Sequence, residues 1–177
     1  MIPQMRPPGN MIDGLIELIK DAQTKAGKLE LEVVEIGSFA GESARIFLEN
    51  GCKIHCVDPY IGGYDTSDPA ANRRSLALAL AQMNELAAQH PTLTLVKETS
   101  LQASAKFSPL SVDLVYIDGE HRYPAVLQDI KAWQLIPRIA VAGHDYWMNE
   151  VAQAVDEVFV KPDKTYSDSS WIKFQTN

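Results

Sequence analysis

Short apolar, β-branched runs alternate with stretches of helical period along nearly the whole chain, and this alternation limits the fold more than any other feature. Asn10 is placed to cap a helix whose Ile12, Leu15, Ile16 and Ile19 share one face, with Gly27 just past its end. Residues 31–36 read as a strand, and residues 42–50 as a helix closed by Gly51. Residues 53–57 form a second strand, and Asp68-Pro69 reads as cap and first residue of a long helix to Gln89, ended by His90-Pro91. Residues 93–96 make a third strand, 101–106 a short helix, and 112–117 a fourth strand of nearly continuous β-branched and aromatic residues. A helix opening at Pro124 turns Val126, Leu127, Ile130 and Trp133 inward, a fifth strand spans 139–142, and a last helix covers 150–158. Two weak strands are expected near Phe159 and Trp171. Strands joined through helices imply parallel pairing with helices on both faces, a three-layer α/β fold on a mainly parallel sheet of about seven strands. Ligands of such sheets bind outside the carboxyl ends of the strands, where the strand order reverses.

Size and charge narrow the functional classes. With 177 residues, 46% of them apolar, the chain supports one core, so residues 1–177 are expected to form a single domain, with residues 1–27 as an N-terminal cap helix. Acidic residues number 23 against 16 basic, and the formal charge of -7 argues against a nucleic-acid partner bound through many phosphates. No apolar run approaches the ~18 residues of a membrane span, and MIPQMRPPGN has no apolar segment after its Arg to act as a secretion signal. The expectation is a soluble, cytoplasmic protein without a membrane partner. Cys52 and Cys56 make neither a disulfide framework nor a zinc site and are expected to be free thiols.

Chemistry-bearing residues gather just after the strands. The first ends Val33-Val34-Glu35-Ile36-Gly37-Ser38-Phe39-Ala40-Gly41-Glu42-Ser43, with glycines at i and i+4, an acid inside the strand and a hydroxyl in the first helical turn. Gly37 and Gly41 either make a plain strand-to-helix turn or let backbone approach a ligand. Asp58, about twenty residues on at the tip of strand two, suits the hydroxyls of a ribose. Bulky Phe39 stands where a dinucleotide site wants its second glycine, which disfavours NAD(P).

The acid-x-Gly-x-x-x-Gly spacing of Glu35, Gly37 and Gly41 resembles the first motif of class I S-adenosylmethionine methyltransferases. The resemblance implies a Rossmann-like methyltransferase fold with an antiparallel last strand and S-adenosyl-L-methionine as cofactor. By it, Gly37, Ser38 and Phe39 line the methionine part, Ser43 faces its carboxylate, Asp58 holds the ribose, and Thr99-Ser100-Leu101 takes the adenine-edge position, although a hydroxyl there equally suits a helix cap.

Strand four ends Ile117-Asp118-Gly119-Glu120-His121-Arg122-Tyr123, and strand five ends Gly143-His144-Asp145-Tyr146. Carboxylates at Asp118 and Asp145 suit Mg²⁺ or another divalent cation that acidifies a substrate hydroxyl, and His121 suits a general base. Each residue, taken alone, reads equally well as a solvated or capping group. Together these blocks resemble the cation-dependent O-methyltransferases of the macrocin and catechol type. The resemblance assigns Asp118 to catalysis, cofactor and metal, His121 to proton abstraction, and His144 with Asp145 to the second metal-binding position. Where the catechol-type pattern has an acid then an amide, this chain has His144-Asp145, and imidazole favours Mn²⁺, Fe²⁺ or Zn²⁺ over Mg²⁺.

The implied activity is methyl transfer to the hydroxyl of a small molecule or sugar. The alternatives are an NAD(P)-dependent oxidoreductase on a similar sheet and a non-catalytic S-adenosylmethionine-binding module. Asp129 is expected to be exposed or part of a capping network, Leu76, Leu80 and Met83 to be core, and Arg73 and Arg74 to be a solvated helix start. Acceptor contacts are expected from residues 1–10, 61–71 and 147–150. Whether the chain forms a homo-oligomer is left open.

Overall fold

A computed structural model describes residues 10–62 and 72–176. The elements run α1 (Asn10–Ala26), β1 (Glu32–Ile36), α2 (Glu42–Glu49), β2 (Lys53–Val57), α3 (Arg73–Gln89), β3 (Leu93–Val96), α4 (Ser100–Ser104), β4 (Val112–Ile117), α5 (Tyr123–Trp133), β5 (Pro137–Gly143), α6 (Asn149–Phe159), β6 (Lys164–Thr165) and β7 (Trp171–Phe174). The strands form a seven-stranded sheet ordered β3-β2-β1-β4-β5-β7-β6. Strands β1 to β5 pair in parallel, and β7 is antiparallel to both β5 and β6. The order reverses between β1 and β4, so the crevice for a ligand opens above Gly37 and Asp118.

Alternation along the buried strands feeds two cores. Val33, Leu114 and Tyr116 join Leu15, Leu18, Ile19, Phe47 and Met83 beneath α1, α2 and α3. Val34, Val115 and Ile117 join Val126, Ile130, Trp133 and Val155 beneath α4, α5 and α6. Each fully buried aliphatic side chain contributes ~1.5–3 kcal/mol, so both layers are needed to hold the strand tips in register.

Two element boundaries and the burial of one residue differ most from expectation. Helix α3 starts at Arg73, with Asn72 as N-cap accepting from the amides of Arg74 and Ser75. An Asn side chain meets two of the orphan amides at that point; the expected cap at Asp68-Pro69 lies outside the described residues. Phe159 closes α6 rather than starting a strand, because its ring packs on buried Trp171, 6.2 Å between centroids, and the strand forms later at Lys164–Thr165. Asp129 is buried in α5, not exposed, and bonds with Ser100. Cys52 and Cys56 are buried free thiols.

Candidate active site

The turn after β1 is built by two glycines with different tasks. Gly37 has φ +86°, and a Cβ there would lie 2.2 Å from the carbonyl oxygen of Asp118, so its bareness lets the tips of β1 and β4 meet. Gly41 has φ +79°, and a Cβ would meet the sulfur of Met83 at 2.4 Å. Amide bonds tie the tips together: Gly37 donates to the Val57 carbonyl at 2.8 Å, Asp118 to Ile36 at 2.8 Å and His144 to Ile117 at 3.1 Å.

Asp58 stitches the β1 and β2 tips. Its two carboxylate oxygens accept from the amides of Phe39 at 3.0 Å and Tyr60 at 2.8 Å. Burial raises its pKa, against the opposing pull of those two amides. The Tyr60 hydroxyl donates to the Phe39 carbonyl at 3.0 Å and lies 3.3 Å from the Ser38 hydroxyl. Phe39 and Tyr60 both have positive φ, so this double turn is held against a local preference for other conformations. Gly37, Ser38, Phe39 and Asp58 therefore share one corner of the crevice.

Glu35 and Ser43 sit below that corner. Glu35 is fully buried and accepts from the Ser43 hydroxyl, with the Cys56 thiol 3.7 Å away. Both residues brace the turn into α2 from beneath. Ser100, also buried, accepts from Trp133 Nε1 at 2.9 Å and shares a hydrogen bond with Asp129, whose pKa burial pushes up to about 6. Thr99 caps α4 in a capping box with Gln102.

Four ionisable side chains meet at the tips of β4 and β5. His121 Nε2 lies 2.9 Å from Asp145 Oδ2, and His144 Nδ1 lies 3.2 Å from the same oxygen and 3.7 Å from Asp118 Oδ1. Burial opposes the charge on Asp145, but the hydrogen bonds and positive field of His121 and His144 win and hold its carboxyl well below the usual range. Asp145 adopts φ +57°, a left-handed conformation that costs a non-glycine residue about 1 kcal/mol. Met148 holds that turn by donating its amide to the Asp145 carbonyl at 2.8 Å.

His144 is backed by a group that the sequence did not reveal. Its Nε2 lies 2.7 Å from the backbone carbonyl of Asp168, in the turn between β6 and β7. A carbonyl only accepts, so Nε2 carries the proton and Nδ1 faces two carboxylate oxygens. That arrangement needs positive charge, supplied either by a second proton on the ring or by a cation between Nδ1 and the carboxylates. Asp118, His121 and Asp145 also offer donor atoms within 4.8 Å of one another, so His121 joins the possible ligand set. No signal in Asp168-Ser169-Ser170 marks it as part of a site, because the contribution is a backbone oxygen. Arg73 and Arg74 are exposed at the start of α3, as the sequence suggested.

Among the described residues, no helix is long and apolar enough to cross a membrane. No curated protein matches the sequence. Among solved structures, monomeric WbdD is similar with a TM-score of 0.66 at 13% identity, over 96% of this chain and 42% of that one. A protein from Corynebacterium glutamicum gives 0.63 at 15% identity, over 97% and 83%. The calicheamicin methyltransferase CalS11 gives 0.61 at 17% identity, over 86% and 72%. Identities this low speak for the fold, while a family model described as "Methyltransferase domain" matches residues 34–146, which run from β1 through the tip of β5. That span holds both the glycine turn and the four-residue cluster, and the chain belongs to this methyltransferase domain family.

Proposed function

We propose that the protein is an O-methyltransferase that transfers the methyl group of S-adenosylmethionine to the hydroxyl of a small molecule, with His121 as general base. The contact that carries this reading is the 2.9 Å link from His121 Nε2 to Asp145. A carboxylate accepts, so Nε2 bears a proton, and in the singly protonated ring that acts as the base the lone pair lies on Nδ1. Asp145, itself held charged by two imidazoles, fixes the ring and stabilises the imidazolium that forms when His121 takes the hydroxyl proton.

The cofactor fits the corner made by Gly37, Ser38, Phe39 and Asp58. Each Asp58 oxygen accepts one amide and retains a second lone pair for a ribose hydroxyl. Glu35 and Ser43 support the corner, and Ser100 with the Thr99 turn closes its far side. Bound there, S-adenosylmethionine supplies a methyl group whose C–S bond breaks as the bond to the acceptor oxygen forms. The chain's own task is positioning, where effective molarities of about 10⁵ M and above arise.

Asp118, Asp145 and His144 would together hold a divalent cation, which would take the place of a second ring proton between Nδ1 of His144 and the two carboxylates. Bound there, it would lower the pKa of the acceptor hydroxyl. The deciding experiment pairs calorimetry with turnover for His121→Ala. Retained cofactor affinity with lost turnover supports the assignment; unchanged turnover on a true acceptor overturns it.

A further inference from the structure

We infer that Asp168 is the positioning residue for His144 and that helix α1 seats it through Gly14, so that the N-terminal helix acts on the orientation of the cluster; the consequence for turnover rests on the methyltransferase reading above. His144 Nε2 lies 2.7 Å from the Asp168 carbonyl, and a carbonyl orients a ring only as firmly as its own peptide is held. The Asp168 side chain holds that peptide: Oδ1 accepts from the Ser170 amide at 3.0 Å and Oδ2 from the Ser170 hydroxyl at 2.8 Å. Because the Ser170 hydroxyl uses its one proton there, the Tyr116 hydroxyl, 2.9 Å away, donates to Ser170. Tyr116 belongs to β4, whose tip carries Asp118, so the turn after β6 is fastened to the strand that delivers the first carboxylate. Asp168, Ser170 and Tyr116 are all buried, where a broken bond leaves a polar group without water to replace its partner. The Ser169 hydroxyl also donates to the Asp168 carbonyl, and the Ser169 carbonyl accepts from the Tyr146 amide at 3.1 Å, joining the turn to the segment after Asp145.

Helix α1 closes on the same side chain. A Cβ at Gly14 would stand 2.2 Å from Asp168 Oδ1, 2.5 Å from its Cγ and 2.7 Å from its amide nitrogen. Gly14 lies within α1, where alanine would favour the helix by ~0.8–1.0 kcal/mol. The glycine therefore serves close approach and not a turn. The helix is bound to β6 and the turn after it by Lys164 Nζ, 2.8 Å from Glu17 and 2.6 Å from Asp21, and by the Tyr166 hydroxyl, which donates to Asp21 at 2.8 Å. Its seating fixes the turn, the turn fixes the carbonyl, and the carbonyl fixes the ring. A metal-ligating imidazole depends on such a partner behind it, at a cost of about 10–100-fold in affinity when the partner is lost.

The test uses the full-length protein with Gly14→Ala, Asp168→Ala and Asp168→Asn. Asparagine keeps the shape: its amide oxygen accepts from the Ser170 amide and its NH₂ meets the Ser170 hydroxyl oxygen. In metal-free protein labelled with ¹⁵N-histidine, the His144 Nε2 proton is assigned by its loss in His144→Gln. Its exchange with solvent should be faster by about tenfold or more in Gly14→Ala and Asp168→Ala, and within about threefold of the natural protein in Asp168→Asn. Calorimetric affinity for Mn²⁺ should fall by about 10–100-fold in the first two variants and recover in the third. A lowered melting temperature with natural Nε2 exchange would show a merely structural role and overturn the inference, as would equal exchange in Asp168→Asn and Asp168→Ala. Where Gly14→Ala does not fold, Asp21→Ala, which releases Lys164 and Tyr166 without adding bulk, takes its place: exchange faster by about threefold or more supports the role of α1, and unchanged exchange overturns it. Absence of S-adenosylmethionine or Mn²⁺ binding in the natural protein counts against the reading above, and Nε2 exchange alone then decides the place of Asp168.

Discussion

His121 and Asp145 come from different strand tips, β4 and β5, and meet at 2.9 Å because the two strands pair in parallel register, Ile117 opposite Gly143. Neither residue is oriented by its own segment. The left-handed turn at Asp145 aims its carboxylate at His121 and His144 together, and packing of α5 and α6 pays for that strain.

Asp145→Asn keeps the size of the side chain but removes the charge that stabilises a protonated His121. Turnover is expected to fall by about 10²-fold or more, within the range of general-base effects, with cofactor affinity changed less than threefold. Full activity in Asp145→Asn would show that His121 works without it.

Cation dependence is testable by chelation. After exhaustive treatment with EDTA, turnover should drop and return on adding Mn²⁺ or Mg²⁺, and His144→Ala should weaken the rescue, since losing one ligand costs about 10-fold or more in affinity. Undiminished turnover in chelator would leave His144 doubly protonated and the cluster metal-free.

Gly37→Ala should lower the melting temperature by roughly 6–12 °C, from a left-handed backbone penalty of ~1–2 kcal/mol plus the contact with the Asp118 carbonyl. Gly27→Ala is the control. It has φ +66° but nothing within 4 Å, so it carries the backbone penalty alone. Equal losses at the two positions would mean that the β1–β4 contact is not tight.

Asp129 predicts a slope in stability against pH. Its carboxyl is raised in the folded state to about 6, by burial first, so the native protein binds more protons than the unfolded chain between about pH 4 and 6. Stability from this group is therefore present below pH 4 and lost as pH rises toward 6, by on the order of 2–3 kcal/mol. Asp129→Asn, which still accepts from Ser100, should flatten that part of the curve. Parallel curves for the two proteins, measured by urea unfolding at pH 4.5 and 7, would rule the effect out.

Asp113 offers a contrast at the opposite end of β4. Buried itself, it takes up the Glu32 amide at 2.8 Å, Lys28 at 2.7 Å and Arg138 at 3.0 Å; these partners hold its carboxyl below the usual range despite burial. Asp113→Ala should cost about 2 kcal/mol or more by leaving those donors without their acceptor, while specific activity of the folded fraction stays near that of the natural protein. A selective loss of kcat would connect this edge to the site.

Alternation of apolar strands with amphipathic helices was enough to set the layer order, the five parallel strands and the placing of Gly37, Asp58, Asp118 and Asp145 at strand ends, because burial on both sheet faces writes itself directly into residue type. The helix start at Asn72 was not legible, since Asp68-Pro69 carries an equally good capping pattern. The burial of Asp129 was not legible because helical period alone does not say that Ser100 and the Trp133 indole wait beneath it.

Residue order alone therefore determined which side chains reach the carboxyl edge of the sheet. Only the tertiary structure decided their partners: that Asp145 serves two imidazoles, and that a backbone carbonyl at Asp168 sets the proton on His144. Those pairings join segments far apart in the chain through strand register and a strained turn, and contacts of that kind leave no periodic trace in sequence.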